Sequence, residues 1–396
     1  MNTIPIDSAT RMPTITPSDR DGAAYRRLAA LLLTAGIELG GNRPWDIQLR
    51  HRDAAARILA GGSLGFGESY MLGWWDCAAL DQCVARILAA GLDATTGRLP
   101  RLLQRLKGWL FNQQTRSRAS QVALAHYDLG NAFFAAMLDD SMTYSCAYWA
   151  QATTLEDAQH AKLDLVCRKL GLQPGMRLLD IGSGWGSLAR FAAERYGVEC
   201  VGLTVSAEQA TAARARCQGL PVCFVLADYR VFAETERRPF DRVASLGMLE
   251  HVGQKNYRHF FAVARQLLKP GGLFLLHTIG SPNPSRAVDP WIDRYIFPNH
   301  EVPRLNPLLD AMTGTFVLED LHNIGADYDP TLMAWHARFE KSWPTFAAQY
   351  GEVFHRMWRY YLLASAATFR TRQNAVWQLM LSPNGVPGGY HRPDSR

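Results

Sequence analysis

None of the seven cysteines forms a CxxC pair, and no cysteine or histidine falls at zinc-site spacing. An odd, scattered set (Cys77, Cys83, Cys146, Cys167, Cys200, Cys217, Cys223) argues against a disulfide framework and a structural metal, and fits a reducing cytoplasm. Also missing is any run of about 18 apolar residues, the length a membrane-crossing helix needs. The opening MNTIPIDSATRMPTITPSDRDG is polar and broken by proline, without the apolar core of a secretory leader. The sequence therefore predicts a protein that neither spans a membrane nor crosses one. Internal repeats and low-complexity tracts are absent as well. What remains is globular material: 396 residues, 48% hydrophobic and 20% charged, enough for one large domain and a smaller one.

The net charge of +6 is unevenly placed. Residues 1–126 hold 15 Lys and Arg against 10 Asp and Glu, so most of the excess lies in the first third. Arg98, Arg101, Arg105, Lys107, Arg116 and Arg118 follow one another with no acid between Asp93 and Asp128. They alternate with Leu99, Leu102, Leu103, Leu106, Trp109, Leu110 and Phe111 at helical spacing, an apolar stripe flanked by cations. Such a helix suits an anionic lipid surface, where each basic group contributes about 1 kcal/mol. It equally suits packing on its own domain with a solvated basic edge, and interfacial helices are the minority of amphipathic ones. Nucleic acid fits less well, because the aromatics are not interleaved with the cations as a stacking platform.

Along the chain, residues 1–20 read as a disordered tail. Residues 21–115 read as a small, mainly helical domain (YRRLAALLLTAGIEL, RDAAARILAGG, LDQCVARILAAGL), interrupted by the connection GSLGFGESYMLGWWD and with short strands around WDIQLR. A linker is expected at 116–130 and a larger domain at 131–396. In the larger domain TLEDAQHAKLDLVCRKLGL is a helix, with Thr154 and Asp157 as a capping box. Then MRLLDIG, VECVGLTV, VCFVLAD, DRVASLGML and LFLLHTIG, short apolar runs ending in turn residues, alternate with helical stretches. That alternation predicts an α/β fold, a doubly wound and mostly parallel sheet of Rossmann-like type.

The first of these strands ends in DIGSGWG, which puts Asp180, Gly182, Gly184 and Gly186 on a strand-to-helix turn. Glycines there let backbone amides approach a ligand at the carboxyl edge of the sheet. The later Asp228 and Tyr229 fit an S-adenosylmethionine methyltransferase better than a dehydrogenase. Such enzymes usually carry an acid at the end of the second strand to grip the ribose; this chain has Thr204, Val205, Ser206 and then Gln209.

Taken in order, HYDLGN, YSCAYW, LDIGSGWG, GLTVSAEQ, MLEHVG, HTIG, DPWIDRYIFPN and HNIGADYDPTLMAW resemble the cyclopropane-fatty-acyl-phospholipid synthases, relatives of the mycolic-acid cyclopropane synthases. The resemblance runs from about Ile47 to about Gln378 and includes GSLGFGESYMLGWW of the longer bacterial enzymes. It implies methylene transfer from S-adenosylmethionine to a cis double bond of a phospholipid acyl chain. It also implies an N-terminal domain that binds lipid at the inner face of the membrane, and a homodimer. Tyr144, Ser145, Gly182, Ser183, Gly184, Gly186, Thr204, Val205, Ser206, Gln209, Asp228 and Tyr229 would surround S-adenosylmethionine, with Asp228 accepting from the adenine amino group. A bound bicarbonate would be the base, held by Cys146, Glu250, His277, Tyr328 and the backbone of Ile279.

The chemistry asks for a dry pocket, one base and no stray nucleophile, because an alkene that attacks a sulfonium methyl becomes a carbocation. Aromatic faces suit both cations, and Tyr144, Tyr148, Trp149, Tyr295, Phe297, Tyr328 and Trp335 are candidates. Glu250 is the awkward member, since an ionised carboxylate repels bicarbonate; it is expected to orient or charge His277 or to accept the bicarbonate hydroxyl proton. On residue type alone Glu250, His277 and Cys146 would each be ordinary core or capping residues, and only the resemblance reverses that. Metal binding by Cys146, Glu250, His251 and His277 matches no zinc spacing. Ser183 and Ser365 stand where many members carry cysteine, and Ser365 is read as structural. Two alternatives remain: a methyltransferase that adds a methyl branch to a lipid or methylates another amphiphile, and a non-catalytic lipid-binding protein.

Overall fold

The computed structural model describes residues 22–92, 129–283 and 289–393. The expected tail at 1–20, the basic helix at 98–111 with Arg116 and Arg118, His126 and nearly all of the 116–130 linker lie outside the described residues. Two compact units emerge. One comprises 22–92, 289–298 and 340–371; the other comprises 129–283, 299–339 and 372–393. A linear division of the chain assigns 289–298 and 340–371 to the C-terminal domain, whereas by contacts they belong with the N-terminal helices.

In the first unit α1 (Ala23–Thr34), α2 (Ala54–Met71) and α3 (Leu80–Ala89) accompany a two-stranded ribbon, β1 (Gln48–Leu49) with β2 (Trp75–Asp76). The stretch expected as a connection is helical instead: α2 bends at Gly62 (φ 55°) and runs on to Met71. Its glycines serve close packing. A Cβ at Gly65 would strike the Arg57 carbonyl, and one at Gly67 would strike the Trp291 ring. Trp75 and Trp291 are fully buried, the latter edge-on to Tyr360 at 4.5 Å.

The second unit starts with α4 (Asn131–Met137) and α5 (Leu155–Lys169). Of the expected capping box the N-cap half is present, with Thr154 Oγ1 accepting from the Asp157 amide at 3.2 Å, while the Asp157 carboxylate accepts from the Thr154 hydroxyl at 2.7 Å. The alternation follows: β3 (Arg177–Ile181), α6 (Ser187–Tyr196), β4 (Glu199–Thr204), α7 (Ala207–Arg216), β5 (Val222–Leu226), α8 (Tyr229–Thr235), β6 (Phe240–Leu246), α9 (Tyr257–Leu267) and β7 (Leu268–Gly280). After α10 (Pro290–Tyr295) of the first unit come α11 (Leu305–Met312), β8 (Val317–Asn323), α12 (Tyr328–Arg370, broken at Gly351) and β9 (Ala375–Ser382). The sheet order is β5-β4-β3-β6-β7-β9-β8; the five foretold strands are parallel, and β9 and β8 join antiparallel.

Strand alternation sends successive side chains to opposite faces. Leu179, Ile181, Phe274 and Leu379 pack with α8, α9 and α11, while Leu178, Leu275 and Met380 pack with α5 and α6. Both faces are covered, so the central strands read as continuous apolar runs.

Candidate active site

The carboxyl ends of β3, β4 and β5 hold the residues expected at the cofactor from Gly182 to Tyr229, while Tyr144 and Ser145 stand on the segment before α5. Gly182, Gly184 and Gly186 have φ of 88°, 54° and 83°, which side chains with a Cβ rarely adopt. A Cβ on Gly182 would also lie 2.8 Å from Met248, and one on Gly186 would lie 2.6 Å from the Phe224 ring. The Gly182 and Ser183 amides donate to the Leu203 carbonyl, tying this turn to β4. At the end of β4, Thr204 Oγ1 donates to Gln209 Oε1 at 3.0 Å, and Ser206 caps α7 by accepting from the Gln209 amide at 3.3 Å. Val205 is left 39% exposed there and Leu226 50%, apolar surface open beside the turn. Asp228 caps α8, and its carboxylate accepts from the Arg230 guanidinium at 2.6 and 2.7 Å.

Segment 144–149 is clamped onto the start of α12. Thr331 Oγ1 accepts from the Ala147 amide and from Trp149 Nε1, and Asp327 Oδ1 accepts from the Trp149 amide. The turn before α12 is pressed onto β9 by Gly325, where a Cβ would come 2.7 Å from the Val376 amide nitrogen. Tyr144 and Tyr328 thereby flank one ring: Trp335 is 5.1 Å from the first and 5.9 Å from the second. Cys146 is fully buried, its Sγ donating to the carbonyls of Ala147 and Ile324. Burial, with Asp327 adding to it, pushes the thiol well above its ordinary range, so it stays protonated.

The Ile324 amide donates to Val376 on β9, which stands opposite Ile279 on β7. The Ile279 amide donates to Glu250 Oε1 at 2.6 Å. Cys146, Tyr328, Ile279 and Glu250 are thus joined through one strip of backbone. That amide, assigned to the anion by resemblance, is engaged by Glu250; and the hydrogen bond Glu250 makes is to Ile279, not to His277. Glu250 is buried, its Oε2 has no hydrogen-bond partner, and burial lifts the carboxyl to about 7. His277, on the same strand, meets Gln378 Nε2 through Nδ1 at 3.2 Å, and burial holds its ring well below the usual histidine range, hence neutral.

Two buried lysines enter that the sequence reading passed over. Lys162 Nζ donates to Ser145 Oγ at 2.9 Å, and burial lowers its ammonium to about 8. Nearby Asp180 rises to about 7, because desolvation outweighs the lysine's attraction. Lys169 reaches Gln378 and His322. Both sit on the stripe Leu155, Gln159, Lys162, Val166, Lys169 of α5, so helical spacing was the available signal. Tyr295, Phe297 and Ser365 belong to the other unit. Among the described residues no cluster of three or more His, Cys, Asp and Glu side chains suits a metal ion.

The chain is an S-adenosylmethionine-dependent methyltransferase by its family model and its relatives, with a mostly parallel sheet and a glycine turn at its carboxyl edge. Coclaurine N-methyltransferase bound to N-methylheliamine and SAH shares the fold at 20% identity, with a TM-score of 0.66 over 80% of this chain and 98% of that one. Mycolic acid cyclopropane synthase CmaA1 complexed with SAH and CTAB matches with 34% identity and a TM-score of 0.61, over 66% of this chain and 97% of that one. Residues 113–379 match the family model described as mycolic acid cyclopropane synthetase, and the chain belongs to that family. Among its relatives, cyclopropane-fatty-acyl-phospholipid synthase of Escherichia coli (strain K12) is 50% identical over 92% of this chain and 94% of its own length. Tuberculostearic acid methyltransferase UfaA1 of Mycobacterium tuberculosis is 35% identical over 84% of this chain and 82% of its own length.

Proposed function

We propose that this chain transfers a methylene group from S-adenosylmethionine to a cis double bond of an unsaturated phospholipid acyl chain, with bound bicarbonate as base. The observation that carries the reading is the buried Glu250 carboxyl, with one oxygen on the amide of Ile279, on the strand that also carries His277, and the other unpartnered. A carboxyl lifted by burial to about 7 is able to hold its proton near neutral pH. In that form Oε2–H donates to an anion, which removes the repulsion expected of an ionised glutamate.

In the reaction the alkene π pair forms a carbon–carbon bond to the sulfonium methyl as the sulfur–carbon bond breaks and S-adenosylhomocysteine leaves. Loss of a proton from the new methyl would free its C–H pair to close the ring onto the cation; Cys146, Glu250, His277, Tyr328 and the Ile279 backbone would hold the bicarbonate that supplies the base. A thiol held protonated is a far weaker trap for that cation than a thiolate. Tyr144, Trp335 and Tyr328 present aromatic faces of the kind that stabilise cations. The cofactor would rest on the Gly182–Gly186 turn, with Ser145, Thr204–Ser206, Gln209, Asp228 and Tyr229 around it and open Val205 beside the adenine.

Lipid access is assigned to the first unit and to the basic segment at 98–118, with peripheral contact to an anionic membrane surface. The first unit carries an apolar groove lined by Leu28, Leu32, Ile58, Phe66, Val84 and Tyr360, and Leu33 is 61% exposed. No helix among the described residues is long and apolar enough to cross a membrane. A homodimer remains part of the proposal. The tuberculostearic acid methyltransferase relative favours a second reading, addition of a methyl branch. Mass spectrometry of lipids from cells expressing the protein, before and after ozonolysis, tests the first: ring formation adds CH2 and leaves a chain that ozone does not cleave, and a CH2-enlarged chain that still cleaves as an alkene would sink it. Removing bicarbonate from the assay should lower turnover, and adding it back should restore it.

A further inference from the structure

His277, Gln378 and His322 form one row across three adjacent strands. β7 and β9 place His277 opposite Gln378, and β8 and β9 place His322 opposite the same glutamine. Residues directly opposite in an antiparallel pair share a face, here the face covered by α5. Lys169, the last residue of α5, closes the row: its Nζ lies 2.7 Å from Gln378 Oε1 and 3.0 Å from His322 Nδ1. Lys169, Gln378 and His277 are all buried, so each polar atom needs a protein partner.

Donor and acceptor capacity decides the protons. Burial lowers Lys169 to about 7, and as an ammonium below that it only donates, so Gln378 turns its oxygen to Lys169 and its NH2 to His277. An NH2 offers only hydrogens, so Nδ1 of a neutral His277 is the lone-pair nitrogen and Nε2 carries the ring proton. We propose that Gln378, oriented by Lys169, is a positioning residue that fixes His277 as the Nε2–H tautomer, a ring with one hydrogen bond to give to an anion. What that donor serves rests on the bicarbonate reading; the tautomer itself does not.

The test uses the full chain labelled with 15N-histidine, with the His277 signals identified by their loss in His277→Gln. Wild type should show a bare Nδ1 and a protonated Nε2. Gln378→Glu is isosteric, and Lys169 keeps its carboxylate ionised, so an acceptor now faces Nδ1 and draws the proton there. This variant should bind S-adenosylhomocysteine as wild type does while kcat falls at least about 10-fold, as when an outer partner sets a functional histidine's tautomer. Lys169→Met frees the glutamine to flip and should give mixed tautomers with a smaller loss. A protonated Nδ1 in wild type would overturn the proposal, as would a Gln378→Glu protein with an unmoved tautomer or wild-type turnover. Should Gln378→Glu fail to bind S-adenosylhomocysteine, the wild-type and Lys169→Met spectra decide. If the tautomer is as stated but wild-type turnover ignores bicarbonate, the bicarbonate reading fails and this one stands.

Discussion

Glu250→Gln probes the buried carboxyl directly. In the wild type this group titrates near 7 and not near 4.5, because it is fully desolvated and one oxygen lacks a partner. The fold raises this pKa, so between those two values the unfolded chain gives up the proton while the folded chain keeps it. Stability therefore falls as pH rises through that window, by about 1.4 kcal/mol per pH unit, and levels off above the folded value. The accumulated penalty is about 3 kcal/mol at most by pH 8. Glutamine has the same shape, keeps an oxygen for the Ile279 amide and has no proton to lose. Urea unfolding of both proteins at pH 5 and pH 8 isolates the effect, because every other titrating group is common to the pair. The variant should gain about 1–3 kcal/mol on wild type in going from pH 5 to pH 8, while its turnover drops and S-adenosylhomocysteine binding persists. An unchanged difference at the two pH values would refute the claim that Glu250 is held desolvated.

Cys146→Ser should bind S-adenosylmethionine normally and retain partial turnover in a radiolabel assay, since a hydroxyl still donates; complete loss would support a nucleophilic thiol. Reversing charge at Arg101 and Arg105 should weaken sedimentation with anionic vesicles at low salt without changing cofactor affinity, and the deficit should vanish at high salt. Equal vesicle binding at low salt would refute the docking role of that segment.

The parallel half of the sheet was legible because each of its strands is an apolar run closed by turn residues, covered on both faces. The antiparallel edge was not. β8, VLEDLHN, is a mixed edge strand whose polar side chains hide the period, and β9, AVWQLMLS, follows a long helix that interrupts the alternation. A glutamine inside so apolar a strand is the visible trace of the buried polar row. The glycines of GSLGFGESYMLGWWD read as a connection because close helix packing against Trp291 and turn formation leave the same signature in sequence. The glycine turn between β3 and α6 was readable from spacing. Cys146, Glu250, His277 and Tyr328 were not, since they lie on four distant segments with no spacing to link them, and only the resemblance named them together.

Turnover with S-adenosylmethionine carrying a fully deuterated methyl group, on vesicles of a cis-unsaturated phospholipid, tests the central claim most directly. Methylene transfer with proton loss to a base predicts a product that keeps two of the three deuterons and has lost its double bond. A product that keeps all three, or in which the double bond survives, would contradict it.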